Sequence, residues 1–128
     1  MPTFPVVTGD VLTSTIFNGL PAFTVQTAKT VDYTAVSGDE YQQLIPMNKA
    51  TAVAFKIPTD ATYNFPIGTV ITVLSIGAGA VTISAVTPGT TTILSAGATA
   101  ASPTLAQYKS AACIKTAANT FYIVGGIA

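Results

Sequence analysis

The side chains that could do chemistry in this chain are few, and their types restrict it more than their spacing does. Histidine is absent, so no Ser-His-Asp triad, Cys-His pair or imidazole metal ligand can be assembled. Cys113 is the sole cysteine and sits beside Ala111, Ala112 and Ile114. With no second cysteine it forms no intrachain disulfide, and with no cationic or imidazole neighbour it reads as a small buried apolar side chain. The acids are Asp10, Asp32, Asp39, Glu40 and Asp60, of which only Asp39 and Glu40 are adjacent. Consecutive strand residues point to opposite faces, and this pair follows Ser37-Gly38, so it is expected in a solvated turn and not as a general acid and base. The isolated Asp10, Asp32 and Asp60 offer no calcium loop. Gly77-Ala78-Gly79 lacks the Lys-Ser/Thr and the helix of a phosphate cradle. The expectation is therefore no catalytic, cofactor-binding or metal-binding residues, and no enzyme. Tyr33, Tyr41, Tyr63, Tyr108 and Tyr122 could stack on sugars or pack at sheet edges and subunit contacts.

Those residues would be carried by strands. From Val31 onward the segments alternate and β-branched residues dominate. Val53, Phe55 and Ile57 form one face while Ala54 and Lys56 form the other, before Pro58-Thr59-Asp60 ends the strand. Gly68 to Ile76 is apolar on both faces, with Val70, Leu74 and Ile76 on one and Ile71 and Val73 on the other, as expected of an interior strand or a subunit contact. Gly77-Ala78-Gly79 then reads as the loop of a hairpin to Val81, Ile83 and Ala85. Pro88-Gly89 opens a turn before Thr91 to Leu94, and Ser95 to Pro103 reads as a surface loop. Gln107 to Thr116 and Phe121 to Val124 read as a closing hairpin around Ala117-Ala118-Asn119-Thr120. The spacing predicts an all-β fold, a single sandwich or jelly-roll-like domain over 31–128. Residues 1–30 read as an extended N-terminal arm: Pro2, Pro5 and Pro21 favour extended backbone, and a short helical turn is expected among Val11, Leu12, Ile16, Phe17 and Leu20. Phe4, Phe17 and Phe23 are too apolar to leave in water, so the arm is expected to dock.

Composition sets the partners. The chain has 128 residues, 49% hydrophobic and only 8% charged, against a usual charged fraction near ~25%; a surface so poor in charge is expected to be covered. Five lysines, scattered along the chain, balance five acids, and arginine is absent, which argues against nucleic acid. Apolar runs are broken before membrane-spanning length, and Met1-Pro2-Thr3-Phe4-Pro5 carries no signal-peptide start. Neither membrane nor nucleic acid is expected as a partner, and folding in the cytoplasm is. Near-zero net charge permits self-association.

One stretch carries a resemblance. Asn64-Phe65-Pro66-Ile67-Gly68-Thr69-Val70-Ile71-Thr72-Val73, followed by Gly77-Ala78-Gly79-Ala80-Val81-Thr82-Ile83, resembles a β-domain of phage virion structural and tail-fibre-like proteins. Tyr108 to Lys115 and Asn119 to Gly125 extend the likeness to the C-terminal end, with Phe121 or Tyr122 where that family usually has tryptophan. The likeness covers about Thr30 to Gly125 and rests on strand and turn patterns. It implies a structural protein on the virion surface, expected first as a capsid decoration or cement protein that binds the major capsid protein and stabilises the shell. The alternative is a tail-fibre or adhesin module touching host glycan or protein. It also implies self-association, with a homotrimer expected. Candidate assembly contacts are Phe4, Phe17 and Phe23 in the arm and Val70, Ile71 and Val73 in the body.

Overall fold

A computed structural model describes residues 25–41, 44–95 and 102–127. Its strands are β1 Tyr33–Thr34, β2 Leu44–Met47, β3 Val53–Ile57, β4 Val70–Ser75, β5 Val81–Ala85, β6 Thr92–Ser95, β7 Thr104–Leu105, β8 Ser110–Ala117 and β9 Thr120–Gly125, with no helix among the described residues. They form a four-stranded sheet ordered β1-β3-β5-β7 and a five-stranded sheet ordered β2-β4-β8-β9-β6. The sheets pack on one another through a shared core, giving the sandwich-like all-β domain that the strand spacing predicts.

The pairing is not that of consecutive hairpins. β2 pairs in parallel with β4 and β3 in parallel with β5, so each of the stretches β2–β3 and β4–β5 starts in the five-stranded sheet, turns a corner and continues in the four-stranded one. The parallel pairs set this fold apart from an antiparallel jelly roll. The hairpin expected at Gly77-Ala78-Gly79 is therefore corrected to a corner between sheets, stacked on the corner before it. Ile76 N donates to Met47 O at 3.0 Å, Gly79 N to Lys49 O at 2.9 Å and Val53 N to Ala80 O at 3.1 Å. A Cβ on Gly77 would run into the backbone of Lys49, and one on Gly79 into that of Thr51. Glycine is required here by the close approach of two backbones, a demand that residues 28 positions away impose (Val53↔Val81).

The sheet also begins inside the expected arm. Val25 and Lys29 bridge in parallel to Leu44 and Met47, and Gln26 N and Lys29 N donate to Leu44 O and Pro46 O at 2.9 and 2.8 Å. The outer edge of β2 would otherwise leave these carbonyls unpaired, which draws the chain onto the body before Val31. The short helical turn expected between Val11 and Leu20 lies outside the described residues, as do Ala96 to Ala101 of the expected Ser95–Pro103 loop.

Alternation builds the core. Val53, Phe55 and Ile57 are buried while Ala54 and Lys56 are not, as the sequence predicts. In β4, Ile71, Val73 and Ser75 point inward, and Val70, Thr72 and Leu74 lie half-buried on the other side, with β2 and β8 as flanking strands. Phe65 packs edge-on against Tyr63 and Phe121, with centroids 4.5 and 6.5 Å away. Each such buried apolar side chain contributes about 1.5–3 kcal/mol. The expected closing hairpin is present as β8 and β9, antiparallel, with Asn119 in the left-handed region at φ 48°, a conformation asparagine tolerates.

Candidate functional site

Three groups of reactive side chains are organised by this scaffold, and each is occupied by structural work. Lys115 shares the inward parity of Ala111 and Cys113 on β8 and is 1% exposed. Its Nζ donates to Asp60 Oδ1 at 2.8 Å, Asn64 Oδ1 at 2.6 Å and Phe65 O at 2.8 Å, which uses all three ammonium protons. Asp60 Oδ2 accepts from Asn119 N at 2.9 Å, and Asn119 Oδ1 accepts from Asp60 N at 2.8 Å. One buried cation thus ties the 60–65 loop to the β8–β9 hairpin. Counting lysines as scattered surface charges misses this residue; the signal that finds it is a lysine in the apolar register of a strand.

The acid pair lies in a turn, as expected, but Asp39 is not solvated. It is 4% exposed and accepts from Tyr33 OH at 2.8 Å to Oδ2, from Gln26 Nε2 at 2.8 Å and from Val36 N at 2.8 Å. Glu40 accepts from Gly38 N at 2.6 Å and from Tyr63 OH. Burial first, then the bond to Asp39 and its charge, raise the Tyr33 pKa well above the ordinary phenol value; the bond to Glu40 raises that of Tyr63. Each carboxylate is held by its own tyrosine, so the pair pins the 36–41 loop. Lys29 Nζ sits 4.4 Å from the centre of the Tyr33 ring, a favourable cation–π placement. Cys113 is fully buried, as its neighbours predict, and burial pushes its thiol from 9.0 up to about 12, which suppresses the reactive thiolate. Among the described residues no three His, Cys, Asp or Glu side chains come together to hold a metal.

The outer faces of the two sheets differ. The outward positions of the five-stranded sheet align in rows: Val70, Ile114, Tyr122 and Leu94 across β4, β8, β9 and β6, and Leu44, Thr72, Ala112 and Val124 across β2, β4, β8 and β9. In a third row Leu74 and Ser110 continue this face, while Pro46 beside them is buried. None of these positions is charged, and Tyr122 and Val124 are 46% and 49% exposed. The outward rows of the four-stranded sheet are Thr34, Lys56 and Ser84, and Ala54, Thr82 and Thr104. One sheet presents polar outward side chains and the other mostly apolar ones, most of them half-buried and Tyr122 and Val124 exposed; exposed apolar patches are where interaction surfaces are often found.

Of the residues expected to make assembly contacts, Ile71 and Val73 are core side chains at 1% and 0% exposure. Strand alternation turns them inward and leaves Val70 on the outer face. Phe4, Phe17 and Phe23 lie outside the described residues. Sequence reading misses Ile114, Tyr122 and Val124 as surface partners of Val70, because only the cross-strand register aligns them. No family model, curated protein or solved structure matches this chain.

Proposed function

We propose that this domain is a non-catalytic structural component of a phage particle, a capsid decoration or cement protein that binds the head surface and stabilises the shell. The observation that carries the reading is the uncharged apolar outer face of the five-stranded sheet, set against a polar outer face on the other sheet. A face without charges associates by burying apolar area and desolvates no ion in doing so. The resemblance of the Asn64–Ile83 stretch and the C-terminal hairpin to phage virion β-domains supplies the setting. In this reading the reactive groups hold loops, the sandwich is the rigid body, and copies associate in a closed symmetric oligomer, a trimer, beside the major capsid protein. Quantitative mass spectrometry of purified particles tests it. On the order of hundreds of copies per particle, in proportion to the capsid protein, is expected of a decorated symmetric shell; absence from particles would overturn the proposal.

Tyr108 favours a second reading. It is 77% exposed and held at φ 67° just before β8, and strained exposed positions are over-represented at binding sites. A tail-fibre or adhesin module would use such a ring against host glycan or protein. It predicts a few copies per particle and glycan binding that Tyr108→Ala removes; an array without hits counts against it.

A further inference from the structure

Among the described residues Lys115 is the one buried lysine, and the groups around its Nζ can do more than neutralise it. A carboxylate oxygen, Asp60 Oδ1, lies at 2.8 Å, and a carboxamide oxygen, Asn64 Oδ1, at 2.6 Å. An ammonium faces the oxygen of an amide and not its nitrogen, so the Nδ2 amino group of Asn64 is turned away from Nζ. The amide carbon, one C=O bond beyond the oxygen, lies no more than about 3.8 Å from Nζ, next to the ~3–3.5 Å of a near-attack contact. The backbone holds this placement. Lys115 N donates to Thr69 O at 2.9 Å and Gly68 N to Lys115 O at 2.8 Å, while Asp60 is tied to Asn119 through both its N–H and its Oδ2. Phe65, whose carbonyl takes the third bond from Nζ, and Phe121, the register partner of Lys115 on β9, are both buried and close the inner side of the site. Asn64 itself is exposed, which gives a leaving group a way out.

We propose that Lys115 and Asn64 join in an intramolecular isopeptide bond, with Asp60 as the proton carrier. Asp60 Oδ1 takes one proton from Nζ, exchanging a buried ion pair for a neutral amine and acid, an exchange that burial favours. Rotation about Cε–Nζ turns the freed lone pair toward Asn64 Cγ. The Nζ–Cγ bond forms, Asp60 donates toward Asn64 Oδ1 as negative charge develops there, and the Cγ–Nδ2 bond breaks. Nδ2 departs as ammonium, carrying the two protons that Nζ gives up, and Asp60 ends as a carboxylate. Nothing is oxidised or reduced. The bond would tie the loop before β4 to β8, between positions 51 apart in the chain. It would serve as a staple in a protein whose single cysteine can form no intrachain disulfide, restricting the unfolded chain as a closed loop does. The proposal stands independently of any virion role.

The test is the intact mass of the full chain, freshly purified and after prolonged incubation of the folded protein, followed by a tryptic map. The expected chain is lighter than its sequence by the mass of one ammonia molecule. In the map, peptide 57–109 should be joined to 110–128, with no cleavage after Lys115, because trypsin does not cut at an acylated lysine. Asn64→Ala and Asp60→Asn should each keep the full mass and release peptide 110–115. Asn64→Ala leaves Lys115 its bonds to Asp60 and Phe65 O, so its fold, checked by its unfolding curve, should be retained. Full mass in the incubated folded chain would overturn the proposal. So would loss of ammonia confined to peptide 57–109 with cleavage at Lys115 intact, the mark of an asparagine cyclised onto its own backbone, or a cross-link that forms as fast in Asp60→Asn as in the unaltered chain.

Discussion

The two sheets share one core but differ on their outer sides. On β3, Phe55 points in and Lys56 points out; on β8, Cys113 points in and Ile114 points out. The four-stranded sheet follows the inside–outside alternation of a sheet with one wet face, and the five-stranded sheet is apolar on both sides, as sheets covered twice are. The difference teaches where stability ends and association begins. Inward side chains of both sheets are buried by folding, whereas the Val70, Ile114, Tyr122 and Leu94 row is only partly covered. Its area becomes useful only when something lies on it.

The largest expected effect strikes the five-stranded side from within. Asp60→Ala leaves Lys115 buried with its charge uncompensated, and removing one partner of such a pair costs about 3–5 kcal/mol. The loss, measured by urea unfolding, should exceed that of Asp32→Ala, whose carboxylate receives only one exposed bond from Ala54 N. Equal losses would mean that the lysine is not the tie holding the loop to the hairpin.

Gly79→Ala breaks both sides together, because the corner it occupies links the two sheets. The added methyl group meets the backbone of Thr51, and overpacking of this kind costs about 1–3 kcal/mol or more. Gly89→Ala, where nothing lies within 4 Å, should cost under about 1 kcal/mol. A mild Gly79→Ala would show that the corners do not stack as described.

Alkaline titration sharpens the comparison, because Cys113 is on the inner side of the apolar sheet. Its folded pKa is raised, so its contribution to stability is complete below the unfolded thiol's 9.0 and is lost as pH rises through about 12. Above the unfolded value stability should fall by about 1.4 kcal/mol per pH unit from this group, with Tyr33 adding in the same direction at higher pH. Cys113→Ala should flatten the first part of that decline at a cost of about 1 kcal/mol from lost packing; an unchanged slope would remove Cys113 as its source.

Ser75→Ala is the smallest change. Ser75 Oγ is buried without a hydrogen-bond partner among the described residues, so its removal should be neutral or stabilising by up to about 1 kcal/mol. A clear destabilisation would reveal a partner for that hydroxyl.

The sequence makes some of this legible and hides the rest for physical reasons. β3, the two faces of β4, the closing hairpin and the buried thiol all follow from period-two alternation, which is local. Gly77-Ala78-Gly79 looks the same whether the next strand folds back beside β4 or crosses to the other sheet; Lys49 and Thr51 decide it, and they are distant in sequence. Asp39 looks like a surface acid until Tyr33 and Gln26 close over it. Alternation puts Val70 opposite Ile71, but only register places it beside Ile114 and Tyr122. The apolar face is thus present residue by residue in the sequence and becomes a surface only when β4, β8, β9 and β6 align.

The most direct test is the number of copies retained on purified particles by Val124→Asp compared with Thr82→Asp, each shown to fold by its unfolding curve. Both positions point outward, so each should alter stability by less than about 1 kcal/mol. The account predicts that Val124→Asp is lost from particles while Thr82→Asp decorates them like the unaltered chain; equal retention of the two would contradict the assignment of the apolar sheet face as the contact surface.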